Sequence, residues 1–465
     1  MKQLMNWIFP DMGGRQLTKR LSLSFLGLAL MLATGCATVR RAREVQADRN
    51  PPPGERTVSA AEVGLTSNST LNLQEALRIA LTYQPVVAQA QQNLAAASAQ
   101  LRQSRSAYAP TVDARAGYQR GTSNTGLEPA NNDSKNSYSG SIGLDWLVYD
   151  FGKTPAVVRQ AYARQSAAAA SLKAARNNAA FNVRTAFFAL RQNEELLAVA
   201  HEAERQFRQH LEQVTAFMEV GRRTQYDVTK AEVDLGNAQL ELIFARNAVK
   251  TARAGLNRSL GLAEDPGYRL GELMDMASST NLTELMTLAR QQQPELLVLK
   301  AQERVAFAAV DEAIANLYPS LSLQAQYGGS GSQFPLVWNW WGALQSAVPL
   351  FSGRAKTGRI DESVAQLRAA RAQTADREQQ IYQDLENSLS GLHSALQRQA
   401  LTELILRQAQ ESLDLISEQY RIGRASSVDV TDAQVAWARA KADQVKARFE
   451  HLTAVAQIWN TVGEE

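Results

Sequence analysis

Cysteine is almost missing from this chain. Cys36 is the single one among 465 residues, which excludes a disulfide or a thiolate metal site within one copy. Histidine is nearly as scarce. His201, His210, His393 and His451 lie scattered on helix-forming stretches with no HExxH and no i, i+4 pair, so no metal is expected and surface or interface positions are. Proline is absent between Pro155 and Pro266 and after Pro349, in regions rich in Ala, Gln, Arg, Glu and Leu, which are strong helix formers. Catalytic signatures are absent as well: there is no nucleophile elbow and no dinucleotide fingerprint. "DFGKT" at Asp150 to Thr154 has Leu147 where a phosphate loop requires its first glycine. It reads better as a strand-to-helix turn with Pro155 in the first helical turn. No enzyme is expected.

An excess of charge is also lacking. The net +3 belongs to residues 1–35, which hold four Lys/Arg and one Asp, so 45 basic and 45 acidic residues remain. Nucleic acid is thereby an unsuitable partner, since phosphate binding needs a basic excess or stripe. What is present at the N-terminus is Lys19 and Arg20, then "LSLSFLGLALMLA", too short for a spanning helix. It ends in "LATGC". This resembles a bacterial lipoprotein signal, with Ala33 where such signals usually have Leu. The resemblance implies cleavage before Cys36 and lipid (diacylglycerol plus an acyl chain such as palmitate) on that residue as the only cofactor-like group. Two or more acyl chains give stable anchoring to a membrane. An ordinary secretory signal with an incidental cysteine is the alternative.

The remainder is written twice. "MEVGRRTQYDVTKAEV" from Met218 returns as "YRIGRASSVDVTDAQV" from Tyr420, 202 residues on, with Gly, Arg, Asp, Val, Thr, Ala and Val in common. Pro85 and Pro294, Pro110 and Pro319, and Tyr118 and Tyr327 are each 209 apart. At Phe151 and Phe351 the offset is 200, which gives the first copy a loop nine residues longer. Such a repeat must be recognised before domains are drawn. The expected organisation is a signal over 1–35, a lipidated extended segment over 36–70, a first repeat over 71–262, a connector over 263–280 and a second repeat over 281–462.

Each repeat opens on an amphipathic helix, as Leu73, Ala76, Leu77, Ala80 and Leu81 show. A second helix starts at Pro85 or Pro294, the first-turn position that proline tolerates. The period then changes to two. Val112, Ala114, Ala116 and Tyr118 share one face, as do Tyr138, Ile142, Leu144, Trp146 and Val148 on the return strand. Hairpins are expected over about 111–150 and 320–350. From Gly152 to Gly221 the chain is long enough for a helix of roughly 100 Å at 1.5 Å per residue, and the return helix to Gly261 is shorter. Gly221 and Gly423 would end the long helices, and Asp227 and its twin Asp429 would stand in the first turn of the returns.

Strands of about ten residues with one apolar face have the length of tilted transmembrane strands. Trp146, Trp338, Trp340 and Trp341 gather there with half of the tyrosines, as in an interfacial girdle. A half-buried soluble hairpin is the plainer alternative. Four strands cannot close a barrel and a bilayer tolerates no open sheet edge, so a membrane reading requires oligomerisation.

The duplicated layout, the "QP" helix starts, the "YAP" and "YPS" strand entries and the "GR....DVT.A.V" turns resemble the TolC-like outer membrane efflux proteins, in their lipoprotein branch, over about Leu71 to Val462. The resemblance implies a mainly α fold with a small β part: a homotrimer whose twelve-stranded β-barrel in the outer membrane continues into a long periplasmic α-helical barrel. It implies a passive exit duct docking to a periplasmic adaptor and an inner-membrane pump, expelling drugs, metals or polypeptides. A polypeptide-secretion duct and a lipid-anchored periplasmic scaffold are the competing readings.

In that family the helix turns form the periplasmic tip and the second turn lines the aperture. Tyr420, Asp429 and Asp432 fall on its tip tyrosine and aperture carboxylates, and Arg424 stands one residue before its tip arginine. Asp429 also suits a helix cap. Asp432 is opposite Lys230 in the first copy, so its carboxylate is specific to the second turn, where an aperture role competes with a solvated helix face. Carboxylates converging on one axis would favour cations.

Overall fold

The computed structural model describes residues 37–48, 51–52, 54–67, 69–122, 134–272 and 279–464. Cys36 and the expected signal lie outside them. The chain divides into two units, Met1–Arg56 and Thr57–Glu465. In the first, residues 37–47 form an exposed helix and not the expected extended segment. Ala and Arg favour helix there, and Arg40 pairs with Glu44 one turn on at 2.9 Å.

The second unit holds eight helices and six strands among its described residues. The first copy runs β1 (Thr70–Leu71), α1 (Leu73–Tyr83), α2 (Pro85–Arg105), β2 (Thr111–Gly121), β3 (Lys135–Tyr149), α3 (Lys153–Glu219) and α4 (Gln225–Leu260). The second runs β4 (Arg269–Leu270), α5 (Leu282–Gln292), α6 (Pro294–Ala315), β5 (Ser320–Gly331), β6 (Val337–Ala347), α7 (Ala355–Arg421) and α8 (Ser427–Val462). The long helices α3 and α7 have 67 residues each, and the returns α4 and α8 have 36 each.

A helix of 67 residues spans roughly 100 Å, and none of the helices packed against α3 is that long. Two short helices placed end to end do so instead. Towards the sheet α3 lies between α2 and α6, and towards the helix turns it lies between α4 and α8. Gln165 donates to Ser98 of α2 and Arg159 to Asp311 of α6, whereas Arg253 of α4 reaches Glu194 and Gln434 of α8 reaches the Gln206 carbonyl. The stacking joints are built alike. Gly261 ends α4 at φ +80°, and a Cβ on it would lie 3.2 Å from the Tyr83 carbonyl and 3.6 Å from Pro85 Cδ at the start of α2. Gly463 ends α8 at φ +91°, where a Cβ would come within 2.8 Å of Gln293 Cα and Pro294 Cδ at the start of α6.

Around these joints sit the two largest apolar cores. One gathers Ile79, Phe187, Phe188, Leu256, Tyr268 and Phe449, and the other Leu285, Leu296, Ile381, Leu385 and Ile458. Parallel pairing of β1 with β4 ties the copies together beside the first.

The two expected hairpins join into one antiparallel sheet of order β2-β3-β5-β6. Val112 pairs with Leu144, Leu144 with Ala325 and Ala325 with Gly342, so apolar residues fall on one face throughout. Asp113, Gly143, Gln326 and Trp341 are correspondingly in line on the other. At the sheet's end Phe151 and Gly152 have φ of 52° and 101°, and Gly353 and Arg354 have 57° and 66°. Backbone geometry therefore pairs Phe151 with Gly353 at offset 202, not with Phe351 at 200. Phe151 and Phe351 are therefore not structural counterparts, and the first copy's extra loop is correspondingly shorter than nine. Asp150 caps α3, accepting from the Thr154 amide at 2.7 Å and its hydroxyl at 2.5 Å, as a strand-to-helix turn requires.

Gly463→Ala adds a methyl where backbone lies at 2.8 Å and φ is positive. It is expected to cost about 2 kcal/mol or more and to lower the thermal unfolding midpoint, whereas Gly391→Ala, mid-helix with nothing within 4 Å, is expected to leave it unchanged or raise it.

Candidate functional site

The shared letters of the helix turns account for their shape. Gly221 has φ +74° and Gly423 +80°, the left-handed conformation that ends a helix most cheaply on glycine. Gly221 and Arg222 donate their amides to the Met218 and Phe217 carbonyls at 2.9 and 2.8 Å, and Gly423 and Arg424 do the same to Tyr420 and Gln419 at 3.0 and 2.8 Å. Each return helix then opens with a capping box. Asp227 accepts from the Thr224 amide at 3.0 Å and hydroxyl at 2.9 Å. Asp429 accepts from the Ser426 amide at 2.8 Å and hydroxyl at 2.7 Å. These bonds hold both carboxyls below the usual range, led by the Thr224 backbone at Asp227 and by the Ser426 side chain at Asp429.

The unshared letters bring the two turns together. Tyr420, whose twin is Met218, is only 1% exposed. Phe217 lies 5.8 Å from its ring and the His210 ring 5.3 Å. The Arg223 guanidinium covers it at 4.7 Å and donates to the Ala425 carbonyl at 3.0 Å. His210 is hydrogen-bonded to Ser427 at 2.9 Å. Val214, Val228, Ala231 and Val430 complete this small core. Tyr420 is thus the buried joint between the first and second turns of one chain, while Arg424 and Asp432 are exposed. Lys230, the twin of Asp432, is bound to Asp234 at 2.9 Å along its own helix.

Two residues of this joint escaped the sequence reading. Arg223 stands opposite Ala425 and His210 opposite Ser412, so the same copy-to-copy comparison that singled out Asp432 would have found them. Of the two expected kinds of position, surface or interface, His210 takes the interface at 3% exposure, where Tyr420 of α7 and Ser427 of α8 close over it.

Trp146, Trp338 and Trp340 fall on the apolar sheet face, opposite Leu323, Gly329 and Tyr327. Trp146 stands near the helical end, donating to the Tyr108 carbonyl at 3.1 Å, and the other two near the far hairpin. Six residues of strand separate Trp338 from the level of Trp146 and four separate Trp340 from it, about 20 and 13 Å. Trp341 does not belong with them. It pairs with Gln326 on the polar face, because adjacent strand residues point oppositely.

A sheet with one continuous apolar face, aromatic at two levels, set at the end of paired ~100 Å helices, defines an outer-membrane duct protein. The model of the outer membrane efflux protein family matches residues 76–262 and 285–464, one stretch in each copy, and the chain belongs to that family. Its relatives include protein CyaE of Bordetella pertussis, 26% identical over 332 residues, 69% of this chain and 67% of that one. Outer membrane protein TolC of Escherichia coli is 22% identical over 424 residues, 86% of this chain and 85% of TolC. The CmeC outer membrane channel of Campylobacter jejuni has the same fold, with a TM-score of 0.77 at 16% identity, covering 90% of this chain and 91% of that one. The protein is an outer-membrane efflux channel that extends into the periplasm.

Burial pushes the His210 imidazole down to about 4, against the nearby Asp234 carboxylate and with Arg223 and Lys230 assisting. A base whose pKa falls on folding takes up its proton in the unfolded chain first. The stability it contributes is therefore full above pH 6.5 and is lost as pH falls from about 6.5 towards 4, by up to roughly 3 kcal/mol. Amide exchange in residues 205–215 and 425–435, corrected for its intrinsic pH dependence, is expected to quicken between pH 7 and 5, and to lose that response in His210→Gln.

Proposed function

We propose that three copies of this chain form one duct through which small molecules, handed over by an inner-membrane pump and a periplasmic adaptor, leave the cell. The observation that carries this reading is the four-stranded sheet with both edges, β2 and β6, open. Unpaired backbone cannot face lipid, and three such sheets joined edge to edge make twelve strands with room for a lumen. The helices support the same closure. At the turn end the order α4, α3, α8, α7 leaves α4 and α7 outermost. Both carry exposed apolar residues, Leu240, Ile243 and Phe244 on one and Leu401, Leu404 and Leu415 on the other, faces that a second copy would cover.

In this duct the capping boxes shape the tip, the buried Tyr420 locks the two turns of each protomer together, and Asp432 supplies one carboxylate per protomer at the aperture. Asp429, already bonded to Ser426, acts there mainly as a cap, and Arg424 is free to meet a neighbouring protomer. Diacylglycerol on Cys36 adds an anchor beside the barrel. Intact mass of the purified protein is expected to include that lipid, and an unmodified cysteine would remove the anchor from this reading.

Planar-bilayer conductance tests the duct. Wild-type protein is expected to give small, cation-preferring currents, and Asp432→Ala larger currents with weaker cation preference. Leu144→Arg, which puts a charge on the apolar face at a cost of about 2–4 kcal/mol near mid-membrane, is expected to abolish assembly. Currents with the same selectivity in wild type and Asp432→Ala would take the aperture role from Asp432, and tolerance of Leu144→Arg would refute the barrel.

A further inference from the structure

Among the described residues the polar face of the sheet carries one aromatic side chain, with Leu147 and Val337 towards its two ends. Trp341 pairs with Gln326, and the register continues through Gly143 to Asp113. Its neighbours along β6 on that face are Asn339 and Ala343. None of these is an apolar partner for an indole, which is 47% exposed. A lone exposed tryptophan on a convex surface is unremarkable. Here, however, the face is the one that turns inward when the sheet closes, so the ring stands in the path of whatever passes.

The charges on that face are also unevenly matched. Asp113 is neutralised by Arg115 at 2.6 Å. Asp145, one row nearer the helices and in line with Gln324 and Ala343, is exposed and has no ion-pair partner among the described residues. An indole face and an unpaired carboxylate on one wet surface are complementary to a flat, positively charged aromatic molecule. The ring attracts its charge and stacks on its plane, and the carboxylate adds attraction without requiring burial.

We propose that Trp341, with Asp145, forms a transit site for planar aromatic cations on the inner wall of the barrel, repeated three times at one level. This rests on the three-protomer duct described above. The site is a specificity element of the passage, distinct from the aromatic residues of the lipid face and from the helix-turn tip. Its affinity is modest by construction, since a strong site in a passive duct would obstruct it.

Ethidium is a suitable probe: planar, aromatic and singly charged. Its equilibrium binding to full-length protein in lipid nanodiscs, read by fluorescence anisotropy, is to be compared for wild type, Trp341→Ala, Trp341→Phe, Trp340→Ala and Asp145→Asn. Trp340 is one residue away on the lipid face, so its removal controls for loss of an indole and for partition into lipid. The expected result is saturable binding weakened about ten-fold by Trp341→Ala, by a few-fold in Asp145→Asn, largely retained in Trp341→Phe and unchanged in Trp340→Ala. Equal binding by Trp341→Ala and wild type, equal loss in Trp340→Ala, or no saturable binding by wild type overturns the proposal. Potassium conductance of the same wild-type preparation separates the two readings. A conducting protein that fails the binding test loses the transit site alone, and a trimer-free, non-conducting one loses the duct and the site with it.

Discussion

A helix of 67 residues is unstable in water unless something apolar covers it along its length, and the rest of the architecture answers that requirement. The chain covers each long helix with short ones laid end to end. The joints between them are where the cores are richest and where a glycine must meet a proline without intervening side chain. Gly261 against Pro85 and Gly463 against Pro294 serve both demands. Glycine supplies the left-handed end, and proline supplies a start that needs no amide partner. The long helices thereby gain continuous neighbours along their length.

Duplication makes the scaffold, and divergence between the copies joins its two turns. Gly, Asp, Val and Ala at matching positions build two identical turns. Tyr420, Arg223 and His210 have no counterparts with similar chemistry and lock one turn onto the other within the protomer. The tyrosine is consequently a packing residue whose ring is covered by a cation, and the only freely exposed acid that distinguishes the second turn from the first in the shared motif is Asp432. A cap such as Asp429 is committed to its own helix. An uncommitted acid beside it can answer to solvent, ions or a neighbouring chain.

Features governed by local rules were legible in the sequence. Helix starts at Pro85 and Pro294, the long proline-free helices and the alternation of Val112 to Tyr118 each follow from a few adjacent residues. The capping boxes were half visible: Asp227 and Asp429 were read as caps, but the reciprocal Thr224 and Ser426 bonds emerge only from geometry. Features governed by distance were not legible. No local signal says that β3 pairs with β5, more than 170 residues later, or that Arg223 lies over Tyr420. Trp341 is an intermediate case, since two adjacent tryptophans in a strand must face opposite ways. Grouping them by type obscured the parity already written in the letters. Phe151 shows the opposite error, in which a resemblance of letters outweighed the backbone rhythm that aligns it with Gly353.

The long helices agree at 67 residues and the returns at 36, while the hairpins between them differ in length. Both turns therefore arrive at the same height and can dock through Tyr420. An insertion of one helical turn in α3 alone would carry Arg223 past its ring by about 5 Å and leave α4 ending about one turn short of its joint with α2. Change in length is then tolerable only when copied four times over, into two long helices and two returns. The length of the helical scaffold is inherited as a single coupled trait, whereas the hairpins are free to vary one at a time.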